Sequence, residues 1–316
     1  MPHPVLAKIA EDTLAAVERG SYTDSDGTTH TVDDLTKTPS ATDYYTPDSS
    51  LSSWATSPAP SSADAHNTEV VLCRSSTLEG VQYCAPLARK IGVLNFASAT
   101  RPGGGFISGA RAQEESIARS SNLYSSLMTP QAQRFYTVHK TETKNKYYTH
   151  AMIYTRGVQL FRSDAGEWVR PCTVDVLTSA AVNAGEVRKR EGQGDRGEGG
   201  GIKAYFKPVA TKPQPAPTKD VEKAIEDVMR ERMGRVLYLF EKEGMEDLVL
   251  GSFGTGVFQN KVSMVAKLWL ELLAAPNARF KNSFQRITFA IIDQKTCAIF
   301  KQVFTDLKVD FVESGT

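Results

Sequence analysis

The chain has 316 residues, 41% of them hydrophobic, so it can bury the core of one large domain or of two small ones. Its 37 basic and 36 acidic residues nearly cancel, which argues against general nucleic-acid binding and against attraction to a membrane surface. No apolar run is long enough to span a membrane, and four widely spaced cysteines favour reduced thiols over a disulfide scaffold or a zinc site. The composition predicts a soluble intracellular protein, cytoplasmic or nuclear.

The N-terminal segment, residues 1–67, is expected to be a helix, a hairpin and an irregular excursion. Apolar residues recur on one helical face of residues 4–19, at Leu6, Ile9, Leu14 and Val17. Residues 21–32 then favour a hairpin that turns at Asp26-Gly27. Residues 34–66 are rich in Ser, Thr, Pro and Asp and lack periodicity, which predicts a surface excursion. Its aromatic residues suggest that it packs back on the body or covers a site: Tyr44, Tyr45 and Trp54.

From residue 70 onward, predicted strands alternate with predicted helices. Strands are expected at 70–73, 91–96, 147–154, 158–161, 173–178, 247–250 and 287–292. Helices are expected at 76–90, 112–127, 219–243, 261–275 and 294–306. This alternation predicts an α/β domain over 68–316 with a parallel or mixed central sheet, whose ligands bind after strand carboxyl ends. Residues 187–218 carry charges, then glycines and prolines, and are predicted to be an inserted flexible loop.

Two glycine-rich loops, residues 102–109 and 251–256, each follow a predicted strand. Neither matches the phosphate loop of kinase-like proteins or the Gly-x-Gly-x-x-Gly turn of dinucleotide dehydrogenases. Glycine backbone lets N–H groups approach an anion, so two such loops at one sheet edge predict a clamp for a diphosphate. The candidate contacts are Gly103, Gly104, Gly105, Gly254, Thr255, Gly256, Val257 and Phe258. Phe258 is expected either to lie against a ribose or to close the loop as a core residue.

Polar residues beside the first loop are the candidates for chemistry. Gln113, Glu114 and Glu115 begin the helix after it, where two carboxylates can act on a bond next to a phosphorylated sugar; the alternative is a tight turn with acidic residues at a helix start. Neighbouring residues lie about 100° apart around a helix, so the two glutamates should have different roles. Gln113 is expected to anchor the helix start or a substrate hydroxyl. Asn95, at the end of a strand, either contacts a ribose or fixes the loop. The five histidines show no metal-ligand spacing.

The triple glycine followed by the spaced Gln-Glu-Glu resembles the signature of poly(ADP-ribose) glycohydrolases. The flanking sequence resembles the microbial type of that family, and the resemblance covers roughly residues 4–33 and 68–306. The similar segments are Val93–Ser98, Ala110–Glu115, Asp175–Gly185 and Gly254–Phe258. The chain departs from the pattern in a long 187–218 insert and at three positions where asparagine or proline is common, Arg101, Ala180 and Val182.

The resemblance implies a macrodomain-like three-layer α/β/α fold with a mixed sheet and an N-terminal helical extension. It implies that Glu115 is the catalytic acid and that Glu114 orients ribose hydroxyls. It implies poly(ADP-ribose) or ADP-ribosylated proteins as substrates, ADP-ribose as product, no metal or cofactor, and a monomer acting in the reversal of ADP-ribosylation after DNA damage. Two alternatives stay open: a mono-ADP-ribosyl hydrolase acting on protein or nucleic acid, and a non-catalytic reader of ADP-ribose.

Cleavage of a ribose–ribose bond needs a proton for the leaving oxygen and stabilisation of an oxocarbenium-like transition state. A neighbouring carboxylate raises the pKa of a carboxyl group, whereas a helix N-terminus favours its ionised form. The sequence does not decide between these two effects for Glu115.

Overall fold

The computed structural model describes residues 3–59, 66–141, 146–192 and 219–314. Helix α1, Pro4–Arg19, is capped by His3 and ends at Gly20, whose φ of 78° is left-handed. A two-stranded hairpin of β1, Ser21–Thr23, and β2, Thr29–Thr31, follows. The predicted N-terminal helix and hairpin are confirmed.

Eight strands of the described chain form one mixed sheet. They are β3 (Thr42–Tyr45), β4 (Glu69–Cys73), β5 (Ile91–Phe96), β6 (Met152–Arg162), β7 (Trp168–Ser179), β8 (Asp247–Leu250), β9 (Arg286–Ala290) and β10 (Val312–Ser314). Their order is β10-β4-β9-β8-β5-β7-β6-β3. Each neighbouring pair from β10 to β7 is parallel. At the other edge of the sheet, β6 pairs antiparallel with both β7 and β3. The mixed sheet is confirmed.

Helices cover both faces of this sheet and make a three-layer α/β/α fold. They are α2 (Thr77–Cys84), α3 (Gln113–Ser120), α4 (Leu123–Leu127), α5 (Pro130–Thr141), α6 (Ala184–Gly192), α7 (Lys219–Lys242), α8 (Val262–Leu273) and α9 (Gln294–Asp306). Side chains alternate along the central strands, so Val93 packs with α2 to α5 and Leu94 packs with α7 to α9. Helix α1 packs on α3 and supports it from outside.

The excursion over residues 34–66 differs from its prediction. Residues 42–45 form edge strand β3, since two tyrosines and a threonine suit a half-buried strand. Leu51 is fully buried, and the Trp54 ring stacks on Phe280 at 6.1 Å. Of the two expected behaviours, packing on the body is therefore found for these residues; residues 60–65 lie outside the described part.

Other segments also differ from their predictions. The strands predicted at 147–154 and 158–161 are one strand with an irregular register near Gly157, and residues 147–151 lie before it. The helix predicted over 112–127 breaks at Ser121, where the backbone is extended. Helix α5 was not predicted. Residues 187–192 of the predicted flexible insert are helical, and residues 193–218 lie outside the described part. The division at residues 67 and 68 stays a prediction.

Candidate active site

The candidate site lies where the carboxyl ends of β5, β7 and β8 meet at one edge of the sheet. These strands are adjacent and parallel, so the loops after β5 and β8 emerge side by side. Phe96 at the end of β5 packs against Phe253 of the second loop, with ring centroids 5.6 Å apart. The two predicted glycine loops are thus brought together.

Gln113 ties the start of α3 to the end of β5. Its Oε1 accepts from the Phe96 N–H at 2.8 Å, while its Nε2 donates to Leu94 O at 2.7 Å and to Thr77 Oγ1 at 3.2 Å. The amide side chain therefore continues the hydrogen bonding of the strand into the helix. This geometry accounts for the anchoring alternative, whereas contact with a substrate hydroxyl stays a prediction.

Glu114 is buried, with 2% of its surface exposed. Its Oε2 accepts from the Ser98 N–H at 2.7 Å, while its Oε1 has no hydrogen-bond partner among the described residues. Burial raises the pKa of Glu114 to about 8, the nearby Glu115 carboxylate adds to this, and the Ser98 N–H opposes it. Glu114 is therefore mostly protonated at neutral pH, which makes it a possible hydrogen-bond donor.

Glu115 is 9% exposed, and its Oε1 accepts from the Gly105 N–H at 2.9 Å. Gly104 makes room for this arrangement. A Cβ on Gly104 would overlap Glu115 Oε1 and lie 3.1 Å from Glu114 Oε2, and its φ of 59° is left-handed. The missing side chain therefore lets both carboxyl groups approach the loop.

The main-chain amides of the first loop donate within the protein. Gly104 N–H donates to Arg101 O at 3.0 Å, and Phe106 N–H donates to Gly103 O at 3.2 Å. Together with the bond from Gly105 to Glu115, these contacts hold the loop against the carboxyl groups. The predicted contact of the three glycines with substrate is not tested by this geometry and stays a prediction.

Asn95 is fully buried at the end of β5. Its Nδ2 donates to Thr178 Oγ1 at 3.1 Å, and its Oδ1 has no donor among the described residues. Its side chain also lies close enough to the Glu114 carboxyl to lower the pKa of that group. The bond to Thr178 joins β5 to β7, so both expected roles of Asn95, contact with a ribose and fixing of the loop, stay predictions.

The second loop is more open. Val257 is 85% exposed, and Phe258 is half-buried with its ring 5.9 Å from that of Tyr148. The N–H groups of Gly256, Val257 and Phe258 have no acceptor within the described ranges, whereas that of Thr255 donates to Ser252 O at 3.1 Å. Three neighbouring free amides can bind an anion.

Two positions that hold the site were not singled out in the sequence. Ser98 acts through its main-chain N–H, which any residue except proline provides, so the type of side chain at this position does not indicate the role. Asn260 follows the second loop and donates from Nδ2 to Gly254 O at 2.9 Å and to Val182 O at 2.8 Å. A polar amide directly after a glycine turn is the signal that was available.

Within the described residues, no helix is long and apolar enough to cross a bilayer, and no group of His, Cys, Asp and Glu side chains is arranged to hold a metal ion.

A family model described as the catalytic domain of microbial-type PARG matches residues 10–163. The solved poly(ADP-ribose) glycohydrolase of Thermomonospora curvata is 31% identical with a TM-score of 0.78, covering 96% of this chain and 100% of that chain. A structure of that enzyme bound to the inhibitor ADP-HPD is 30% identical with a TM-score of 0.75, covering 95% of this chain and 99% of that chain.

The poly(ADP-ribose) glycohydrolase of Deinococcus radiodurans, solved in complex with ADP-ribose, is 29% identical with a TM-score of 0.69, covering 86% of this chain and 98% of that chain. A search of curated proteins gave no match. With 31% identity over nearly the full length of both chains, this protein belongs to the microbial-type poly(ADP-ribose) glycohydrolase family.

Proposed function

We propose that the protein hydrolyses the ribose–ribose O-glycosidic bonds of poly(ADP-ribose) and releases ADP-ribose, with Glu115 as general acid and base. The observation that carries the proposal is the attachment of Glu115 to the first glycine loop. Gly105 N–H holds one carboxyl oxygen at 2.9 Å, which leaves the other oxygen for a substrate atom. The family membership supplies the class of bond that is cut.

In the proposed reaction, the Glu115 carboxyl gives its proton to the leaving ribose oxygen as the glycosidic C–O bond breaks. The sugar develops oxocarbenium character, and the released chain leaves with a hydroxyl group. The Glu115 carboxylate then takes a proton from a water molecule whose oxygen bonds to the anomeric carbon. The general acid is thereby regenerated and ADP-ribose leaves.

Glu114 has a separate role in this proposal. A carboxyl group whose pKa is about 8 is mostly uncharged at neutral pH, so it adds little negative charge beside Glu115. The unpaired Oε1 of Glu114 and the unpaired Oδ1 of Asn95 are buried polar atoms that a ribose hydroxyl would satisfy. Glu114 and Asn95 are therefore proposed to position the ribose.

The second loop is proposed to bind the rest of ADP-ribose. The free N–H groups of residues 256–258 suit a diphosphate, and the half-buried Phe258 ring offers a face for a ribose. Gly254 and Thr255 shape the turn, and Val257 lies at its exposed tip. The first loop, Gly103 to Gly105, is proposed to form the opposite wall.

The same proposal includes a macrodomain-type architecture and a monomer that acts inside the cell, cytoplasmic or nuclear, in reversing ADP-ribosylation after DNA damage. The mixed sheet between two helical layers supports the architecture. The four cysteines are free thiols, as a reducing compartment allows. ADP-ribosylated proteins are proposed as carriers of the polymer substrate.

The test is the release of ADP-ribose from purified polymer by wild type and by Glu115→Gln, quantified by chromatography, with ADP-ribose affinity measured by calorimetry. Glutamine keeps an acceptor for Gly105 N–H but cannot donate the catalytic proton. We expect turnover to fall by about 10²- to 10⁴-fold while ADP-ribose affinity stays within about threefold. Equal turnover by both proteins would contradict the role of Glu115.

Mono-ADP-ribosylated serine, glutamate and DNA substrates assayed alongside the polymer separate the proposal from its alternatives. Faster release from a mono-modified substrate would favour a mono-ADP-ribosyl hydrolase. Tight polymer binding by wild type without any release would favour a reader.

A further inference from the structure

Arg232 lies within α7 and is fully buried. No carboxylate lies within ion-pair distance of it among the described residues. Its titratable neighbours are His139, His150 and Arg235, and burial lowers the pKa of its guanidinium to about 9, so it is still charged at neutral pH. Burying a cation without a counter-charge is costly, so we expect the hydrogen bonds of Arg232 to hold a specific part of the structure in place.

The guanidinium of Arg232 binds two separate segments of main chain. Nη1 donates to Ala180 O at 2.8 Å, and Nη2 donates to Tyr147 O at 3.0 Å and to Tyr148 O at 3.1 Å. Tyr148 has a φ of 56°, a left-handed backbone conformation that is strained for a residue with a side chain. Arg232 therefore joins the segment before β6 to the segment after β7 and holds a strained residue in place.

Both of these segments contact the second loop. The Tyr148 ring lies 5.9 Å from the Phe258 ring, and Ala181 fills the space where a Cβ of Gly254 would lie. Val182 O accepts from Asn260 Nδ2, which also binds Gly254 O. Arg232 is thus connected to the Phe258 end of the 254–258 turn through Tyr148, and to the Gly254 end through Ala180 and its neighbour Ala181.

We propose that Arg232 is a positioning residue for ADP-ribose, which it affects through the second loop without touching the ligand. It fixes the loop so that the Phe258 ring and the amides of residues 256–258 are arranged before ligand binds. This inference rests on the proposed function of that loop. Lysine cannot replace the planar fork of arginine, because one ammonium group cannot bind carbonyls of both segments in the same geometry.

The test compares Arg232→Met and Arg232→Lys with the matched control Arg235→Met. Arg235 is one turn further along α7, is also buried, and donates to Pro47 O and Glu231, away from the second loop. Both methionine variants lose buried hydrogen bonds, so both should be less stable. A loss of ADP-ribose binding is expected for the Arg232 variants alone.

We expect Arg232→Met to weaken ADP-ribose binding by about tenfold in calorimetry, while kcat at saturating polymer stays within about twofold. Amide hydrogen exchange over residues 251–260 should be faster in Arg232→Met than in wild type and unchanged in Arg235→Met. Arg232→Lys should lie between wild type and Arg232→Met, and it provides the measurement if the methionine variant does not fold.

Unchanged affinity and unchanged exchange in the Arg232 variants would overturn the inference, and so would equal effects of Arg235→Met. A fall in kcat without weaker binding would also overturn it, because the catalytic loop would then be the part affected. Failure of the proposed function has another signature: wild type would not cleave polymer, whether or not it binds ADP-ribose. In that case the exchange rates over 251–260 still decide whether Arg232 fixes the loop.

Discussion

The first glycine loop, residues 102–109, and the second loop with the two residues after it, residues 251–258, use their main-chain amides differently. In the first, the amides of Gly104, Gly105 and Phe106 donate within the protein, one of them to Glu115. In the second, the amides of residues 256–258 have no acceptor in the described part of the chain. Glycine therefore serves in one loop to hold the Glu115 carboxyl and in the other to leave main-chain donors available.

Under the proposed function, this difference assigns catalysis mainly to the first loop and ligand binding mainly to the second. A change that disturbs the first loop should lower kcat, and a change that disturbs the second should weaken binding. Glycine-to-alanine substitutions test both loops with the same added methyl group.

Gly104→Ala should have the largest effect. The new Cβ would overlap Glu115 Oε1 and strain a backbone with φ of 59°, so Glu115 must move away from its position. We expect kcat on polymer to fall by about 10²-fold or more, because general acid catalysis depends on placement of the proton donor. Steady-state assays of ADP-ribose release measure it.

Gly27→Ala is the matched control for Gly104→Ala. Gly27 has a φ of 81° in the N-terminal hairpin, and a Cβ there would meet nothing within 4 Å. Alanine at this position therefore strains the backbone without overlapping another atom. The kcat of Gly27→Ala should equal that of wild type. A similar loss in both variants would show that general destabilisation, not displacement of Glu115, explains the effect.

Gly254→Ala should act mainly on affinity. Its Cβ would overlap Ala181 Cβ and lie 2.7 Å from Asn260 Nδ2, at a φ of 73°. The turn must shift, so we expect ADP-ribose to bind about tenfold more weakly and kcat at saturation to change by less than about threefold. Calorimetry with ADP-ribose measures the affinity, and polymer assays measure kcat. A fall in kcat with unchanged affinity would contradict the separation of the two loops.

Glu114→Gln should have a smaller effect on turnover. It should clearly change how the free energy of unfolding depends on pH. The pKa of Glu114 is about 8 in the folded protein and 4.5 as an ordinary glutamate. Between these values the folded state holds a proton that the unfolded state lacks, so the free energy of unfolding falls as pH rises through this window. The slope from one such group is at most about 1.4 kcal/mol per pH unit.

Glutamine at position 114 is neutral throughout this range, so its contribution to stability should not vary with pH. Urea unfolding of both proteins at about pH 5.5 and about pH 7.5 measures the difference. Wild type should lose more stability than Glu114→Gln between the two conditions. Parallel behaviour would mean that Glu114 is ionised in the fold, against its proposed role as an uncharged positioner.

Much of this site could be predicted from sequence because its elements are local. Gly103 to Gly105 and Gln113 to Glu115 lie within 13 consecutive residues, and strand β5 before them is an apolar run interrupted only by Asn95. The α/β class followed from the alternation of predicted strands and helices, which left a parallel or a mixed sheet open; the sheet is mixed. What the sequence did not reveal depends on tertiary contacts. The buried environment that raises the pKa of Glu114 comes from packing around α3, and no spacing encodes it.

The long-range parts were predicted less well. Residues 42–45 join the sheet through β6, more than a hundred residues later in the chain, so their strand could not be inferred from a Ser- and Thr-rich sequence. Arg232 reads as a charged residue on a long helix, yet it is fully buried among main-chain carbonyls. In both cases a partner distant in sequence determines the outcome.

Trp54→Ala should have the smallest effect on activity and separates the N-terminal excursion from both loops. The Trp54 ring packs against Gly234 of α7 and stacks on Phe280, and its Nε1 donates to Glu231 at 2.7 Å. Removing a half-buried ring should lower the free energy of unfolding by about 1–3 kcal/mol. Its contacts lie on α7 and before β9, so we expect kcat and ADP-ribose affinity to match wild type. Reduced affinity in a folded Trp54→Ala protein would instead mean that residues 34–59 contribute to the ligand site.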